Sequence, residues 1–215
     1  MTLAHTITAR TEEELVDAVR AADSSGGPLV LLGPDTEESP EAADSTVVRI
    51  ATRGLVTSED GCSADDLAYC GGVLTTVAAG QKWAPFVDLA IEREWVGLEC
   101  LAGLRGSVGG AVVHNVAAHG QAVADTVAAV RTWDRVAGAH RRFAVVDCCF
   151  GPGTSRFRRE RMPDGSRRYV VLDVAFLFPQ GDLSAPIRSE SLARTLGIAV
   201  GQRAPMTAVR DAVLR

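Results

Sequence analysis

The sequence predicts an α+β protein of two lobes, and three patterns carry that reading. A capped amphipathic helix near the start is followed by two short strand-like runs. Longer apolar or β-branched stretches then recur at residues 72–79, 127–134 and 169–178, with a helix-period segment at 83–93 among them. Between these groups lies a glycine-rich segment, residues 97–120, whose composition suits neither a regular helix nor a regular strand.

Thr11-Glu12-Glu13-Glu14 reads as a capping box, in which hydroxyl and carboxylate satisfy the free amides of a first helical turn. Leu15, Ala18, Val19 and Ala22 follow at helical spacing, and Gly26-Gly27-Pro28 ends the helix. Strands are expected at 29–32 and 46–51, closing a small first lobe (residues 1–54) before a larger one (residues 55–215). Residues 56–70 read as a connection with room for one irregular strand. The helix at 83–93 sets Phe86, Leu89 and Ala90 on one side. Residues 127–134 and 140–145 bracket Gly138 as a hairpin, and the long strand at 169–178 is expected to find its return partner near 154–159. Short helices at 189–196 and 206–214 end the chain.

The net charge of −5 over 215 residues argues against a nucleic-acid partner, because phosphate backbones are bound by clustered Lys and Arg. Basic residues cluster once, at 156–168, interrupted by Met162-Pro163-Asp164-Gly165. This reads as a solvated hairpin arm, with an anionic-ligand site as the sharper alternative. Residues 1–20 hold no secretory pattern and no run of eighteen apolar residues occurs, so neither export nor a membrane partner is expected. Five irregularly spaced cysteines fit a reduced, cytoplasmic protein, and the adjacent Cys148-Cys149 lacks the spacing of a zinc site, so no metal is expected.

Gly103, Gly106, Gly109 and Gly110 let a backbone approach a ligand and present amides to it, while Ser107 adds a hydroxyl at a helix start. Such a loop can hold a pyrophosphate, but a tightly packed turn has the same composition.

The run from Gly97 through His114-Asn115-Val116-Ala117-Ala118-His119-Gly120-Gln121 to Asp125-Thr126 closely resembles the UDP-N-acetylenolpyruvoylglucosamine reductase (MurB) family. Residues 46–54, 169–174 and 183–186 resemble it too, in the family's order. The resemblance implies a MurB-like FAD-binding (PCMH-type) fold of two lobes, with a small-molecule ligand in the cleft between them and the third, substrate-binding lobe absent. In the family, NADPH reduces the flavin, which passes hydride to an enolpyruvyl double bond while an acid protonates the neighbouring carbon. Gly106, Ser107, Gly109, Gly110, Asn115, Gly120 and Val171 become the candidate FAD-binding residues.

Four departures bear on that expectation. The family's Gly-Gly-Gly-Ser-Asn loop is here Gly33-Pro34-Asp35-Thr36-Glu37-Glu38-Ser39-Pro40-Glu41, which removes an amide donor and sets four carboxylates where a pyrophosphate would lie. FAD in the family's pose is disfavoured by it. The family's Gly-Tyr-Arg-x-Ser motif is Gly151-Pro152-Gly153-Thr154-Ser155, without the catalytic arginine. The sequence stops at Arg215, ahead of the lobe that carries the family's serine acid and its glutamate. Within the glycine-rich segment, Arg105 replaces a proline, His114 a glutamine and His119 a tyrosine.

Arg105 is thus a candidate anion holder and His114 and His119 are candidate acids or bases, against the plainer reading of drifted residues with local hydrogen bonds. Cys100 reads as a packed thiol. Three functions stay open: a redirected flavoprotein of specialised metabolism that no longer uses NADPH as the family does; a flavin-free cyclase, dehydratase or isomerase in the old cofactor cleft; or a non-catalytic interaction subunit whose uncovered apolar surface a homodimer or a partner subunit would bury.

Overall fold

The computed structural model describes residues 5–34, 36, 45–58 and 72–215. Most of the acidic loop after Gly33 and most of the connection after Val56 lie outside them.

The first sheet is parallel, in the order β1 (His5–Ala9), β3 (Thr46–Ile50), β2 (Leu29–Leu32). Helix α1 (Glu12–Ser25) covers it with Leu15, Val16, Ala18, Val19 and Ala22. Its N-cap works as expected: Thr11 Oγ1 accepts from the Glu14 amide at 3.1 Å. The Glu14 carboxylate reaches back one residue further than in the standard box, accepting from the Arg10 amide at 2.7 Å. Strand β1 was not anticipated, because its only large apolar residue is Ile7. Parallel pairing with β3 stabilises it, and that partner lies some forty residues away.

The second sheet is antiparallel, in the order β4 (Leu55–Ser58), β5 (Gly72–Ala78), β10 (Tyr169–Pro179), β8 (Val127–Asp134), β9 (Ala139–Ala144). A two-residue pair, β6 (Ala117–Ala118) and β7 (Gln121–Ala122), stands apart. The expected return strand near 154–159 is instead a one-turn helix, α4 (Arg156–Arg159), and β10 pairs with β5 and β8. Phe157 is that segment's single buried apolar side chain, too little to fill a strand in mid-sheet. It packs edge-on against Phe143 and Tyr169, at ring-centroid distances of 5.5 and 6.1 Å.

Strand β10 is buried on both faces. Tyr169, Val171, Val174, Phe176 and Phe178 enter the large core, while Val170 and Leu172 join the core of the first lobe. The switch from odd to even numbering comes from a register shift between Val171 and Asp173, since one extra residue exchanges the faces of everything beyond it. Trp133 of β8 also enters the first lobe's core, so the small lobe completes its interior with residues of the large sheet.

Two arginine clamps reinforce this junction. Arg131 donates to Asp173 at 2.7 Å and to both oxygens of Glu12, which lowers the Glu12 pKa through hydrogen bonding and charge. Arg135 donates to Asp23 at 2.9 Å, near the far end of α1.

Helices α2 (Trp83–Glu92) and α3 (Val108–His114) pack on the large sheet. A satellite core of Cys100, Ile187, Leu192, Ala193, Ala204 and Val209 joins α5 (Glu190–Leu196) and α6 (Met206–Val213) to the body. Among the described residues no helix is long and apolar enough to cross a membrane.

Glu99 ties the satellite to the glycine-rich segment. It is 0% exposed and accepts from the amides of Gly97 and Ala185, each at 2.7 Å, and from Gln121 Nε2 at 3.2 Å. Glu99→Ala would strand these three donors, and the expected loss is about 3 kcal/mol of folding stability. Urea denaturation measures it, and an unchanged midpoint would refute the clamp.

Candidate functional site

The cleft between the two sheets opens where β2 and β3 of the first lobe face α3 and the start of β10. Leu31, Leu32, Ile50 and Gly33 form one wall; Gly106, Ser107, Gly109, Gly110, Val113 and His114 form the other. Tyr169, Val171 and Arg167 stand at its base, and the cavity encloses about 260 Å³. A neighbouring cavity of about 490 Å³ shares Gly33, Thr36 and Gly106 and runs on past Lys82, Leu104 and Arg105. Joined at Gly33, Thr36 and Gly106, the two span the roughly 300–1,000 Å³ usual for cofactor pockets.

Ser107 builds the turn between them. Its hydroxyl caps α3 by accepting from the Gly110 amide at 3.2 Å. The Val108 amide donates to Gln81 O and the Gly109 amide to Ala79 O, both at 2.9 Å. Three of the loop's amides are therefore used by the protein itself, fewer donors than the composition alone suggests. Gly109 is needed for packing, since a Cβ there would sit 2.9 Å from Ala79 Cβ. At Gly106, at φ +118°, a Cβ would meet nothing within 4 Å, so the cleft floor is open there to a ligand.

Opposite the loop, Arg49 of β3 donates from Nη1 to the carbonyls of Gly33, Pro34 and Thr36, at 3.1, 3.3 and 2.8 Å. It fixes the start of the acidic loop and sets a positive charge beneath it. The loop's carboxylates, Asp35, Glu37, Glu38 and Glu41, lie outside the described residues.

The remaining candidates divide. Gly106, Ser107, Gly109, Gly110, Val171 and His114 line the main cavity, and Arg105 lines its neighbour. Asn115 does not reach either one: at φ 43° it ends α3, donates to Gly151 O at 3.0 Å and accepts from the Ala124 amide at 3.1 Å. This is a structural brace. His119 and Gly120 line a separate cavity of about 230 Å³ with Cys100, Gln121, Asp125 and Arg188. The tight β6–β7 turn carries them away from the cleft, so the two histidines do not form one site. Burial pushes the Cys100 thiol up to about 12, with Glu99 adding to it, and Cys148 likewise, which leaves both thiols protonated and unreactive at neutral pH.

Arg167 was not singled out from sequence. Six arginines lie within 156–168, and only the three-dimensional path of the arm selects the one that enters the cleft. Its Nη2 lies 3.4 Å from His114 Nε2. Burial, then the nearby Arg161 and Arg158, pushes the Arg167 pKa down to about 10, so it stays charged at neutral pH. Burial lowers the His114 pKa below 6.5, with Arg167, Arg158 and Arg161 adding to it. The folded state thus prefers neutral His114, while the unfolded chain takes up a proton near pH 6.5. Stability is expected to be fully present above that pH and to fall as pH drops from about 6.5 through the lower folded value. His114→Gln should flatten the melting temperature across this window, and parallel pH profiles for both proteins would refute it.

A family model described as an FAD binding domain matches residues 3–143. The chain is 44% identical over 212 residues to the UDP-N-acetylenolpyruvoylglucosamine reductase of Cutibacterium acnes, covering 98% of this chain and 53% of that protein. Against the Streptomyces coelicolor enzyme the identity is 38%, over 97% of this chain and 51% of the relative. Among solved structures, the MurB of Thermus caldophilus superposes with a TM-score of 0.57 at 26% identity, covering 83% of this chain and 57% of the other. Cholesterol oxidase from B. sterolicum shares the fold alone, with a TM-score of 0.57 at 15% identity. The chain spans about half the length of the curated relatives it matches. A cleft lined by a glycine loop between a parallel and an antiparallel sheet, together with these matches, shows that the chain belongs to the FAD-binding-domain family and, within it, to the UDP-N-acetylenolpyruvoylglucosamine reductase (MurB) homologues.

Proposed function

We propose that this chain binds a flavin in the cleft and is a redirected oxidoreductase, one that does not by itself reduce enolpyruvyl-UDP-GlcNAc. The observation that carries the reading is the pair of cavities meeting at Gly33, Thr36 and Gly106. Leu31, Leu32 and Ile50 face Val113 and Val171 across the main cavity, a slot whose apolar walls suit a flat ring system. Gly106 and Ser107 mark the crossing to the second cavity, where Arg105 and Lys82 supply positive charge suited to a diphosphate. The residues present therefore fit the cofactor. A bound flavin would supply hydride transfer; the chain would position it, exclude water and hold the substrate.

The loss of the inherited reaction rests on residues 151–155. Gly151 and Thr154 close a tight turn on each other's backbone, with amide-to-carbonyl distances of 3.0 and 3.1 Å. Pro152 and Gly153 are exposed within it and present no guanidinium to polarise a carboxylate.

A second reading, a flavin-free enzyme, draws on one observation: His114 faces the main cavity and is held neutral, as a general base must be. Flavin uptake divides the two. The purified protein is expected to be yellow, or to become so with added FAD and to quench its fluorescence. A preparation that stays colourless would reject the first reading. NADPH-dependent turnover of enolpyruvyl-UDP-GlcNAc by this polypeptide would reject the redirection.

A further inference from the structure

The arm formed by α4 and the turn that leads into β10 carries arginines of two kinds. Arg156 pairs with Glu160 at 2.9 Å, and Arg168 pairs with Asp134 at 2.8 Å and with Glu160 at 3.2 Å. Arg158, Arg161 and Arg167 have no carboxylate partner among the described residues; neither has Arg159, which donates instead to the Cys149 carbonyl at 3.1 Å. The arm's own acids are occupied: Glu160 also accepts from the Tyr169 hydroxyl at 3.1 Å, and Asp164 accepts from the amide and hydroxyl of Ser166 at 2.9 and 2.6 Å. Arg158 donates to the carbonyl of Gly153, and Arg161 to that of Gly165 at 3.3 Å. These contacts orient the guanidinium groups without neutralising them.

The three converge. Arg161 and Arg167 are direct partners in an antiparallel bridge, which sends both side chains to one face of the arm. Arg167 lines the main cavity against His114. Arg158 and Arg161 are close enough to disfavour protonation of His114 and of Arg167 alike. Arg167 is partly desolvated while Arg158 and Arg161 stand exposed near it, so like charges gather at this end of the cleft and an anion there would offset their repulsion.

We propose that Arg158, Arg161 and Arg167, with His114, form a binding site for a phosphate or diphosphate group of the substrate at the His114 end of the cleft. Three guanidinium groups match a multiply charged anion better than a single carboxylate, and each can present a two-pronged donor to phosphate oxygens. The seven residues of α3 separate this end from Ser107 by about 10 Å, at 1.5 Å per residue. A flavin with its diphosphate beside Arg105 would therefore hold that diphosphate well away from these arginines, so an anion bound here is a different group from the cofactor's own. The inference deepens the flavin-binding reading and rests on it only for the source of the anion.

Inorganic pyrophosphate is the probe, followed by calorimetry and by melting temperature with and without bound FAD. The wild-type protein should bind pyrophosphate and melt higher with it. Arg161→Met and Arg167→Met should each weaken binding by about tenfold or more, the equivalent of one charge-assisted contact. Without pyrophosphate the same variants should melt at or above the wild-type temperature, because repulsion has been relieved. Lower melting of both variants without the probe would mean a structural role and overturn the proposal, as would equal pyrophosphate affinity in all three proteins. Displacement of pyrophosphate by FAD would assign the anion to the cofactor and overturn the substrate assignment. A protein that binds pyrophosphate through these arginines but takes up no FAD would keep this inference and lose the flavin reading.

Discussion

Two-sided burial of β10 is the constraint on which the rest of the molecule hangs. A strand with solvent on one face could slip or bend, but β10 must satisfy two cores at once. Val170 and Leu172 complete the first lobe, while Tyr169, Val171, Val174, Phe176 and Phe178 fill the second. Burying a large apolar side chain stabilises by about 1.5–3 kcal/mol, so moving this strand by one residue would forfeit several such terms in both lobes together. The register shift between Val171 and Asp173 lets one strand serve both interiors, and it places Val171 at the foot of the cleft. The cleft's width therefore follows from strand pairing and core packing.

Charge is distributed around this frame with a consistent division of labour. Arginines at the lobe junction, Arg131 and Arg135, are spent on Glu12, Asp173 and Asp23, and they hold α1 against the large sheet. Arg49 is spent on three carbonyls at the start of the acidic loop. At the cleft ends the pattern reverses: Arg105 lines the outer cavity and Arg167 the inner one. Among the described residues, a chain of net charge −5 thus turns positive side chains toward its cavity, which is how a protein attracts an anionic ligand against an overall negative background.

Much of the fold could be read from local pattern. The capping residues of α1, the apolar and β-branched runs of β5 and β8 and the turn at Gly138 all appear where periodicity and turn chemistry place them. What was not legible depended on partners distant in sequence. Strand β1 has too little apolar character to be seen without β3 beside it, and the segment before Arg159 resembled a strand only until β8 and β5 occupied both edges of β10. The candidate site was legible to the same degree. Gly106, Ser107, Gly109, Gly110 and Val171 do converge, because a glycine loop capped by a serine announces a close backbone approach. Asn115, His119 and Gly120 do not converge with them, since the left-handed residue at 115 and the β6–β7 turn redirect the chain within five residues.

By itself, the amino-acid sequence determined the class of fold and a glycine loop, through short-range patterns of glycine, apolar spacing and helix capping, and the likeness of whole runs such as residues 97–126 pointed to the family. Tertiary structure alone decided which histidine shares a cavity with the loop and which arginines of the basic arm face inward. It also decided that several of the loop's amides serve the protein. The physical reason is that burial and charge pairing are sums over neighbours brought together by β10 from far along the chain, and no local window contains them.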